Sequence, residues 1–294
     1  MIAQTLLEKK LADTQSLSIA IQGVPGAFHE IAARHCFEGQ DIDIIPAFTF
    51  DELVEKTQQN EKVDVALMAI ENSIAGTLIP NYKRVHDSSL VIVGEVYLRI
   101  VQNLMAMPGQ TIKDLKEVHS HPIAIEQCRE FFRNYPAISL VESEDTALSA
   151  RYIREHQSKG TGAIASSLAA KMYDLEILAP GIETNKANHT RFWVLQPKEH
   201  ATIDKEANKV SLTFSVDHTV GSLYKVLAVL AAYNINVSKI QSTPILGKPW
   251  EYQFYLDFIS EGLVPIQSAI DAIRPLANDM HILGIYNQGK HFEE

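Results

Sequence analysis

The sequence predicts an α/β protein with a two-lobed N-terminal part and a smaller ferredoxin-like domain after it. Between Leu17 and Leu195, short β-rich runs alternate with helix-like segments, an order typical of a mainly parallel sheet flanked by helices. A polar, proline-containing segment at residues 196–208 then predicts a linker. The chain after it shows the order βαββαβ within about 80 residues, which is ferredoxin-like.

The predicted strands of the N-terminal part are runs rich in aliphatic and β-branched residues. They are Ser18–Gln22, Ile42–Ile45, Val63–Ile70, Leu90–Leu98, Val101–Met107, Glu117–Ser120, Ile138–Val141, Gly162–Ala165 and Phe192–Leu195. The predicted helices are Ala27–Cys36, Phe50–Thr57, Ile79–Asp87, Pro122–Asn134, Asp145–Glu155 and Ser166–Met172. So many strands are unusual for one sheet of this length, which favours two α/β lobes that share a cleft.

The C-terminal pattern is compact. Its predicted elements are the strand Val210–Val216, the helix Gly221–Tyr233, the strands Asn236–Thr243 and Glu251–Ile259, the helix Ile266–Leu276 and the strand His281–Ile285. The predicted boundaries are therefore a two-lobed domain at 17–195, a linker at 196–208 and a ferredoxin-like domain at 209–289.

Composition narrows the function classes. The chain of 294 residues is 46% apolar and 21% charged and carries a net charge of −10, without a dense basic block. This charge argues against nucleic acid as the main partner, and no apolar run is long enough to span a bilayer. The two cysteines are too few for a disulfide framework, and Met1–Ala12 lacks the apolar region of a signal peptide. These features predict a cytoplasmic protein.

The segment Asn188–Phe192 carries the first candidate site. Thr190 supplies a hydroxyl, and Arg191 supplies a guanidinium that can bind a carboxylate through two parallel hydrogen bonds. Both follow a turn-rich stretch and precede an apolar run, so they lie where a loop enters a strand. An arginine in such a place is often only a surface ion-pair partner, so other polar clusters have to support the functional interpretation.

Four further polar clusters each follow a β-rich run. Gly23–His29 opens a helix and can bring backbone N–H groups to an anion, although a tight turn without a ligand explains it too. Glu71–Thr77 sets amide and hydroxyl groups at the carboxyl end of a strand, where α/β sheets bind ligands. Helix capping is the alternative there. For Ser120–Pro122 the alternatives are helix capping and a catalytic base, His121. Capping alone explains Glu144–Thr146.

Several motifs do not occur in the sequence. There is no ligand spacing of a metal site, no phosphate loop, no dinucleotide fingerprint and no Gly-x-Ser-x-Gly elbow. The inventory of hydroxyls, amides, a carboxylate and one strong cation suits a small acid and a reaction without a cofactor.

The order of these motifs resembles that of the prephenate dehydratase family, and the C-terminal βαββαβ pattern resembles the ACT regulatory domain that accompanies it. The motifs are Gly23-x-x-Gly26-x-Phe28, Glu71-Asn72-Ser73-x-x-Gly76, Ser120-His121-Pro122 with Gln127-Cys128, Asp145-Thr146-Ala147 and Asn188-x-Thr190-Arg191-Phe192. The resemblance spans Ser18 to Tyr286. It implies lobes of the type II periplasmic-binding-protein architecture with an active site between them.

The resemblance also implies an activity and its residues. The reaction is the conversion of prephenate to phenylpyruvate, water and carbon dioxide in L-phenylalanine biosynthesis, without a cofactor or a metal. Thr190 is expected against the leaving hydroxyl and Arg191 against a substrate carboxylate. The other substrate-binding residues implied are Asn72, Ser73, Gly76, Ser120 and Phe192.

For the ACT domain the resemblance implies feedback control by L-phenylalanine and a homodimer or homotetramer. The implied effector-binding residues are Gly221, Ser222, Leu223 and Asn236. Two departures from the family pattern stand out: Gly26–His29 lacks two hydroxyls that are usual there, and Gln241–Pro244 lacks two charges. The second departure leaves the strength and the ligand of feedback control open.

Two rival functions stay open at the level of sequence. One is arogenate dehydratase, the same reaction on an amino-bearing substrate. The other is a non-catalytic amino-acid sensor built from the same domains. The hydroxyl of Thr190 beside Arg191 speaks against the sensor, because a protein that only binds does not need it there.

Overall fold

The computed structural model describes residues 16–59, 62–262 and 264–294, so the N-terminal segment Met1–Ala12 lies outside the described residues. The described chain forms two compact units. The catalytic-type unit contains residues 16–81, 96–193 and 290–294, and the C-terminal unit contains residues 82–95 and 194–289. The strands β5 (Leu90–Arg99) and β11 (His189–Pro197) contribute residues to both.

The first lobe of the catalytic-type unit is built on parallel strands. Its sheet has the order β5-β11-β3-β1-β2, and β1 pairs in parallel with both β2 and β3. A short strand, β4, returns antiparallel to β3, and β16 adds to β5 in parallel. The new elements are β1 (Leu17–Gln22), β2 (Ile42–Ala47), β3 (Val65–Asn72), β4 (Gly76–Thr77), β16 (Lys290–Phe292), α1 (Phe28–Cys36) and α2 (Phe50–Gln59).

The second lobe is a five-stranded sheet of order β10-β6-β9-β7-β8. Small apolar residues dominate its packing against the helices, including Ala147, Ala150, Ala163 and Ala169. Its elements are β6 (Asn103–Ala106), β7 (Glu117–Ser120), α4 (Pro122–Phe132), β8 (Ser139–Glu142), α5 (Thr146–Glu155), β9 (Thr161–Ala165), α6 (Ser167–Met172) and β10 (Glu176–Ala179).

The predicted fold class is confirmed, including the division into two α/β lobes. Three strands, β4, β10 and β16, were not predicted. Each is short: β4 has two residues, β10 has four and β16 has three. Such runs carry too little period-two pattern to identify a strand, and the pairing partners of β10 and β16 lie far away in the sequence.

The C-terminal unit has the predicted βαββαβ order. Its four strands form an antiparallel arrangement of order β13-β14-β12-β15, with both helices in the apolar core beneath it. The elements are α3 (Ile79–His86, whose last five residues belong here), β12 (Lys209–Ser215), α7 (Ser222–Ala232), β13 (Ile235–Pro244), β14 (Tyr252–Ser260), α8 (Ile266–Ile273) and β15 (Asn278–Tyr286).

The predicted linker at 196–208 lies within the C-terminal unit. The backbone N–H of Lys198 donates to the carbonyl oxygen of Ser89, and that of Asn208 donates to the carbonyl oxygen of Tyr286. The predicted domain boundaries stay predictions. No helix in the described ranges is long and apolar enough to cross a membrane.

Candidate functional site

A cavity of about 260 Å³ lies between the two lobes of the catalytic-type unit. The first lobe contributes the ends of β1 and β3, the start of β11 and the starts of α1 and α2. The second lobe contributes residues near the starts of β6, α4 and α5. The cavity therefore includes the carboxyl ends of two parallel strands and several helix starts, where open α/β sheets bind ligands.

Thr190 and Asn72 meet in the wall of this cavity. They lie on the neighbouring strands β11 and β3, and Nδ2 of Asn72 donates to Oγ1 of Thr190 at 3.0 Å. The carbonyl oxygen of Asn72 accepts from the backbone N–H groups of Ile74 and Ala75 at 3.0 and 2.8 Å. Since a backbone N–H can only donate, these two bonds fix the orientation of the Asn72 amide.

The orientation of Asn72 determines that the Thr190 hydroxyl accepts a hydrogen bond from Asn72 and does not donate one to it. Because Asn72 presents N–H to Thr190, the threonine oxygen accepts that bond. Its own hydrogen has no protein acceptor within the described part of the chain. Thr190 lines the cavity, so this hydrogen is available to a ligand there.

A chain of side-chain amides continues from Asn72 to the second lobe. Asn72 donates to Oδ1 of Asn188 at 2.8 Å, and Asn188 donates to Oε1 of Gln127 at 2.9 Å. Gln102 approaches the same oxygen of Gln127 at 3.4 Å. These bonds connect Asn188, which directly precedes β11, to α4 on the other side of the cavity.

Arg191 occupies the opposite face of β11. Side chains alternate along a strand, so Thr190 and Phe192 face the cavity while Arg191 faces away. The guanidinium carbon lies 5.9 Å from the ring centre of Tyr97 and 5.8 Å from that of Trp193, and NH1 lies 3.8 Å from Glu71. Arg191 is 4% exposed, so the predicted contact with a substrate carboxylate has no geometric support in this arrangement.

Three other predicted substrate-binding residues are not among the residues that line the cavity. Ser73 binds the backbone just before Thr190 instead. Its hydroxyl donates to the carbonyl of Ala187 and accepts from the N–H of His189, both at 2.9 Å. Gly76, with φ of +88°, forms the turn into β4. Ser120 is fully buried and donates to the carbonyl of Ile164 at 2.7 Å.

The glycine-rich loop after β1 packs against the second lobe. Tyr173 donates to the carbonyl of Pro25, and Ser166 donates to that of Gly26, both at 2.6 Å. A Cβ on Gly23 would lie 2.9 Å from Oδ2 of Asp145, and φ there is +104°. The N–H of Gly26 donates to the buried carboxylate of Glu30 at 2.7 Å. Of the two alternatives for this loop, the tight turn without a ligand fits Gly26 better, because an internal carboxylate occupies its N–H.

The electrostatics of the cavity come from helix starts and neutral groups. Helices α1, α2, α4 and α5 begin at its wall, and a helix N-terminus favours negative charge. No lysine or arginine is among the described residues that line it, whereas Glu144 and Asp145 are. Burial raises the pKa of Asp145 and lowers that of His121, another residue of the wall.

One side of the cavity is aromatic. The ring of His29 meets Phe192 edge to face, with 4.9 Å between ring centres, and tilts toward Phe50 at 5.9 Å. Phe192, which was predicted to bind substrate, lines the cavity, and His29 and Phe50 line it too. Within the described residues, no cluster of three or more histidine, cysteine or acidic side chains could hold a metal ion.

Sequence reasoning did not assign site roles to several residues of the wall, among them His29, Phe50, Gln102 and Gln127. For His29, Phe50 and Gln102 the available signal was a position at or near the start of a predicted helix or strand, whereas Gln127 lies inside a predicted helix and gave no such signal. The predicted effector-binding residues lie in the C-terminal unit. Gly221 has φ of +82° and caps α7, Ser222 and Leu223 are its first residues, and Asn236 lies on β13.

Comparison with known proteins gives consistent matches. The sequence pattern described as "Prephenate dehydratase" matches residues 19–200. An arogenate dehydratase of Petunia hybrida is 36% identical over 95% of this chain and 74% of its own. A prephenate dehydratase of Lactococcus lactis is 32% identical over 92% of this chain and 97% of its own. The crystal structure of a prephenate dehydratase from Arthrobacter aurescens in complex with L-Phe superposes with a TM-score of 0.82, at 26% identity, over 92% of this chain and 90% of its own.

Proposed function

The chain belongs to the prephenate dehydratase family, whose members are carbon–oxygen lyases, and from this premise we propose that Thr190 donates a hydrogen bond to the leaving hydroxyl of the substrate. The observation that supports the proposal is the bond from Asn72 to Thr190, which leaves the hydrogen of a cavity-lining hydroxyl available to a ligand. Thr190 stands at the first lobe's wall, where the hydroxyl-bearing end of the substrate ring binds.

The reaction itself needs little from the protein beyond alignment and charge placement. The bond between the ring and its carboxylate breaks, and carbon dioxide leaves. The electron pair of that bond enters the ring and expels the hydroxyl at the opposite carbon, which takes up a proton and departs as water. Aromatisation provides the driving force. A threonine is too weak an acid to transfer its proton fully, so Thr190 stabilises the departing oxygen by donation while solvent supplies the proton.

The substrate carboxylates bind to helix starts and neutral donors in this proposal, and Arg191 acts from behind the strand. The starts of α1, α4 and α5 surround the cavity, and their first N–H groups favour an anion. The guanidinium of Arg191, held between Tyr97 and Trp193, keeps β11 in place. Phe192 and the other rings of the aromatic wall pack against the ring of the substrate.

Arogenate is the second candidate substrate. It carries an ammonium group where prephenate carries a keto oxygen. The carboxyl groups of Glu144 and Asp145 favour a substrate with a positive group, since the described residues of the wall include no lysine or arginine. The Petunia relative bears the name of that activity. Prephenate remains the first candidate because the matching family pattern and the bacterial relative carry its name.

Incubation of the purified protein with prephenate and with arogenate tests the proposal. Phenylpyruvate or phenylalanine should form, and Thr190→Ala should lower kcat by about 10²- to 10³-fold, the usual effect of removing a donor of this kind. Thr190→Ser keeps a hydroxyl and should recover most of the rate. Turnover by Thr190→Ala close to that of the unmodified protein would refute the role of Thr190, and no turnover of either substrate by the unmodified protein would refute the function.

We further propose L-phenylalanine as an effector that binds near Gly221, and a homodimer or homotetramer held by the C-terminal unit in the cytoplasm. Support comes from the L-Phe complex of the Arthrobacter aurescens relative and from exposed apolar side chains of this unit, including Tyr224, Leu246 and Trp250. Calorimetric titration with L-phenylalanine should show saturable binding that Gly221→Val abolishes. Gly247→Val is the matched control, because Gly247 has nearly the same φ, +80°, and also has no atom within 4 Å of its Cβ position.

A further inference from the structure

His29 is the residue of the cavity wall whose chemistry the proposed reaction has not yet used. It is the second residue of α1 and 8% exposed, with its ring against Phe192. A hydroxyl is usual at this position in the resemblance described above, so an imidazole here changes both the size and the chemistry of the wall.

The hydrogen bond of His29 determines which nitrogen carries the proton. The backbone N–H of Ala69, on β3, donates to Nε2 at 3.3 Å. Because that N–H can only donate, Nε2 must offer its lone pair, and a neutral imidazole then carries its proton on Nδ1. The burial that lowers the pKa of His29 to about 3 keeps the ring neutral at physiological pH.

The Nδ1–H group is therefore a donor that no protein group uses. No acceptor for it occurs in the described ranges, and the residue lines the cavity. The proposed substrates are anions with carboxylates, and the described wall offers them no lysine or arginine. A neutral donor fixed in one tautomer suits such a carboxylate, because it binds without a change of protonation.

We propose that His29 is a substrate-binding residue whose Nδ1–H donates to a carboxylate oxygen of the substrate, while Nε2 holds the ring against β3. The inference rests on the proposed function, since it takes prephenate or arogenate as the ligand. Both substrates carry carboxylates, so it applies to either one.

Two substitutions of His29 test the contributions of its two ring nitrogens separately. The side-chain nitrogen of Asn reaches the place of Nδ1, and the side-chain oxygen of Gln reaches the place of Nε2. His29→Asn thus keeps the donor and loses the bond from Ala69, whereas His29→Gln keeps that bond and loses the donor. Both lose the ring contact with Phe192, so each serves as the control for the other.

The kinetic constants of both variants with prephenate and arogenate provide the test. His29→Gln should raise KM for the turned-over substrate by about 10- to 100-fold, the worth of one hydrogen bond to a charged group. His29→Asn should keep KM within about threefold and lower the melting temperature. An unchanged KM in His29→Gln, or an equal rise in both variants, would overturn the inference.

If a His29 variant does not fold, the inference can be tested by a measurement that leaves His29 unchanged. In ¹⁵N-histidine-labelled Thr190→Ala protein, which should consume substrate about 10²- to 10³-fold more slowly, the Nδ1 resonance of His29 should show the protonated form and shift on titration with prephenate. An Nδ1 resonance that does not respond to saturating prephenate would contradict the inference. Failure of the unmodified protein to convert either substrate would count against the proposed function instead.

Discussion

The cavity of the catalytic-type unit and the core of the C-terminal unit use polar groups in opposite ways. In the C-terminal unit, Lys209 is 2% exposed, and its ammonium binds both carboxylate oxygens of Glu95 at 2.7 and 3.0 Å. Ser211 donates to Asp257 at 2.6 Å and lies 2.6 Å from the hydroxyl of Tyr286. In the cavity, by contrast, Thr190 and His29 each keep one hydrogen without a protein acceptor among the described residues.

This difference between the two regions indicates which polar groups stabilise the fold and which are available to bind a ligand. Buried charges that are satisfied internally have no capacity left for a ligand, so removing one of them should change stability. Donors that face a cavity without an acceptor contribute little to folding, and removing them should change kinetics. Each prediction below tests whether one residue acts on stability, on kinetics or on both.

Lys209→Met should have the largest effect on stability. It leaves the carboxylate of Glu95 buried without its cation, which costs about 3–5 kcal/mol of the free energy of unfolding. Chemical denaturation measures the loss. Lys205→Met, at an exposed position of the same unit, is the control and should cost less than about 0.5 kcal/mol. Equal stability of the two variants would place Lys209 outside the stabilising network.

The second-largest effect on stability should be a loss at acidic pH that depends on His29. Its pKa is about 3 in the folded protein, and the ordinary value is 6.5. Between these values the unfolded chain binds a proton that the folded protein does not, so stability falls as the pH drops below about 6.5. The expected contribution of this residue is about 2 kcal/mol lost by pH 5.

Urea denaturation of the unmodified protein and of His29→Phe, at pH 7 and at pH 5, measures that contribution. Phenylalanine keeps an aromatic ring beside Phe192 but does not titrate. The difference in stability between the two pH values should therefore be smaller in the variant by about 2 kcal/mol. The same pH dependence in both proteins would show that His29 is not held neutral in the fold.

Arg191→Lys should have the smallest effect, because Arg191 lies on the face of β11 away from the cavity. Lysine cannot stack between Tyr97 and Trp193 as a planar guanidinium does, so a stability loss of about 1 kcal/mol is expected. KM should stay within about threefold. Phe192→Leu, on the cavity face of the same strand, should raise KM more. A tenfold rise in KM for Arg191→Lys would show that the guanidinium reaches the substrate.

The strand β11 also shows what sequence could and could not predict. The motif around Thr190 contains two residues that line the cavity, Thr190 and Phe192, and periodicity predicted both lobes and the βαββαβ unit, since these depend on local pattern. Arg191 is not among the lining residues although it lies beside Thr190, because adjacent residues of a strand face opposite sides. Ser73 and Ser120 are polar residues in the expected places, yet backbone groups of distant elements bind their hydroxyls. Such tertiary pairing leaves no trace in local sequence.

The residues that sequence reasoning left unassigned share one physical cause. His29 is recognisable as a donor only through the N–H of Ala69, 40 residues away, which fixes its tautomer. Gln127 lies 61 residues from Asn188, to which it is hydrogen bonded. Each role depends on contacts between segments that the chain brings together only when it folds.

The central claim is that Asn72 directs the Thr190 hydrogen to the substrate, and a double-mutant cycle tests it most directly. Asp at position 72 can still accept from Ile74 and Ala75, but it must also accept from Thr190, which withdraws that hydrogen from the cavity. Asn72→Asp should lower kcat by about 100-fold. If the residue acts through Thr190, Asn72→Asp combined with Thr190→Ala should be no slower than Thr190→Ala alone. Losses that multiply in the double variant would show that Asn72 and Thr190 act independently and would contradict the claim.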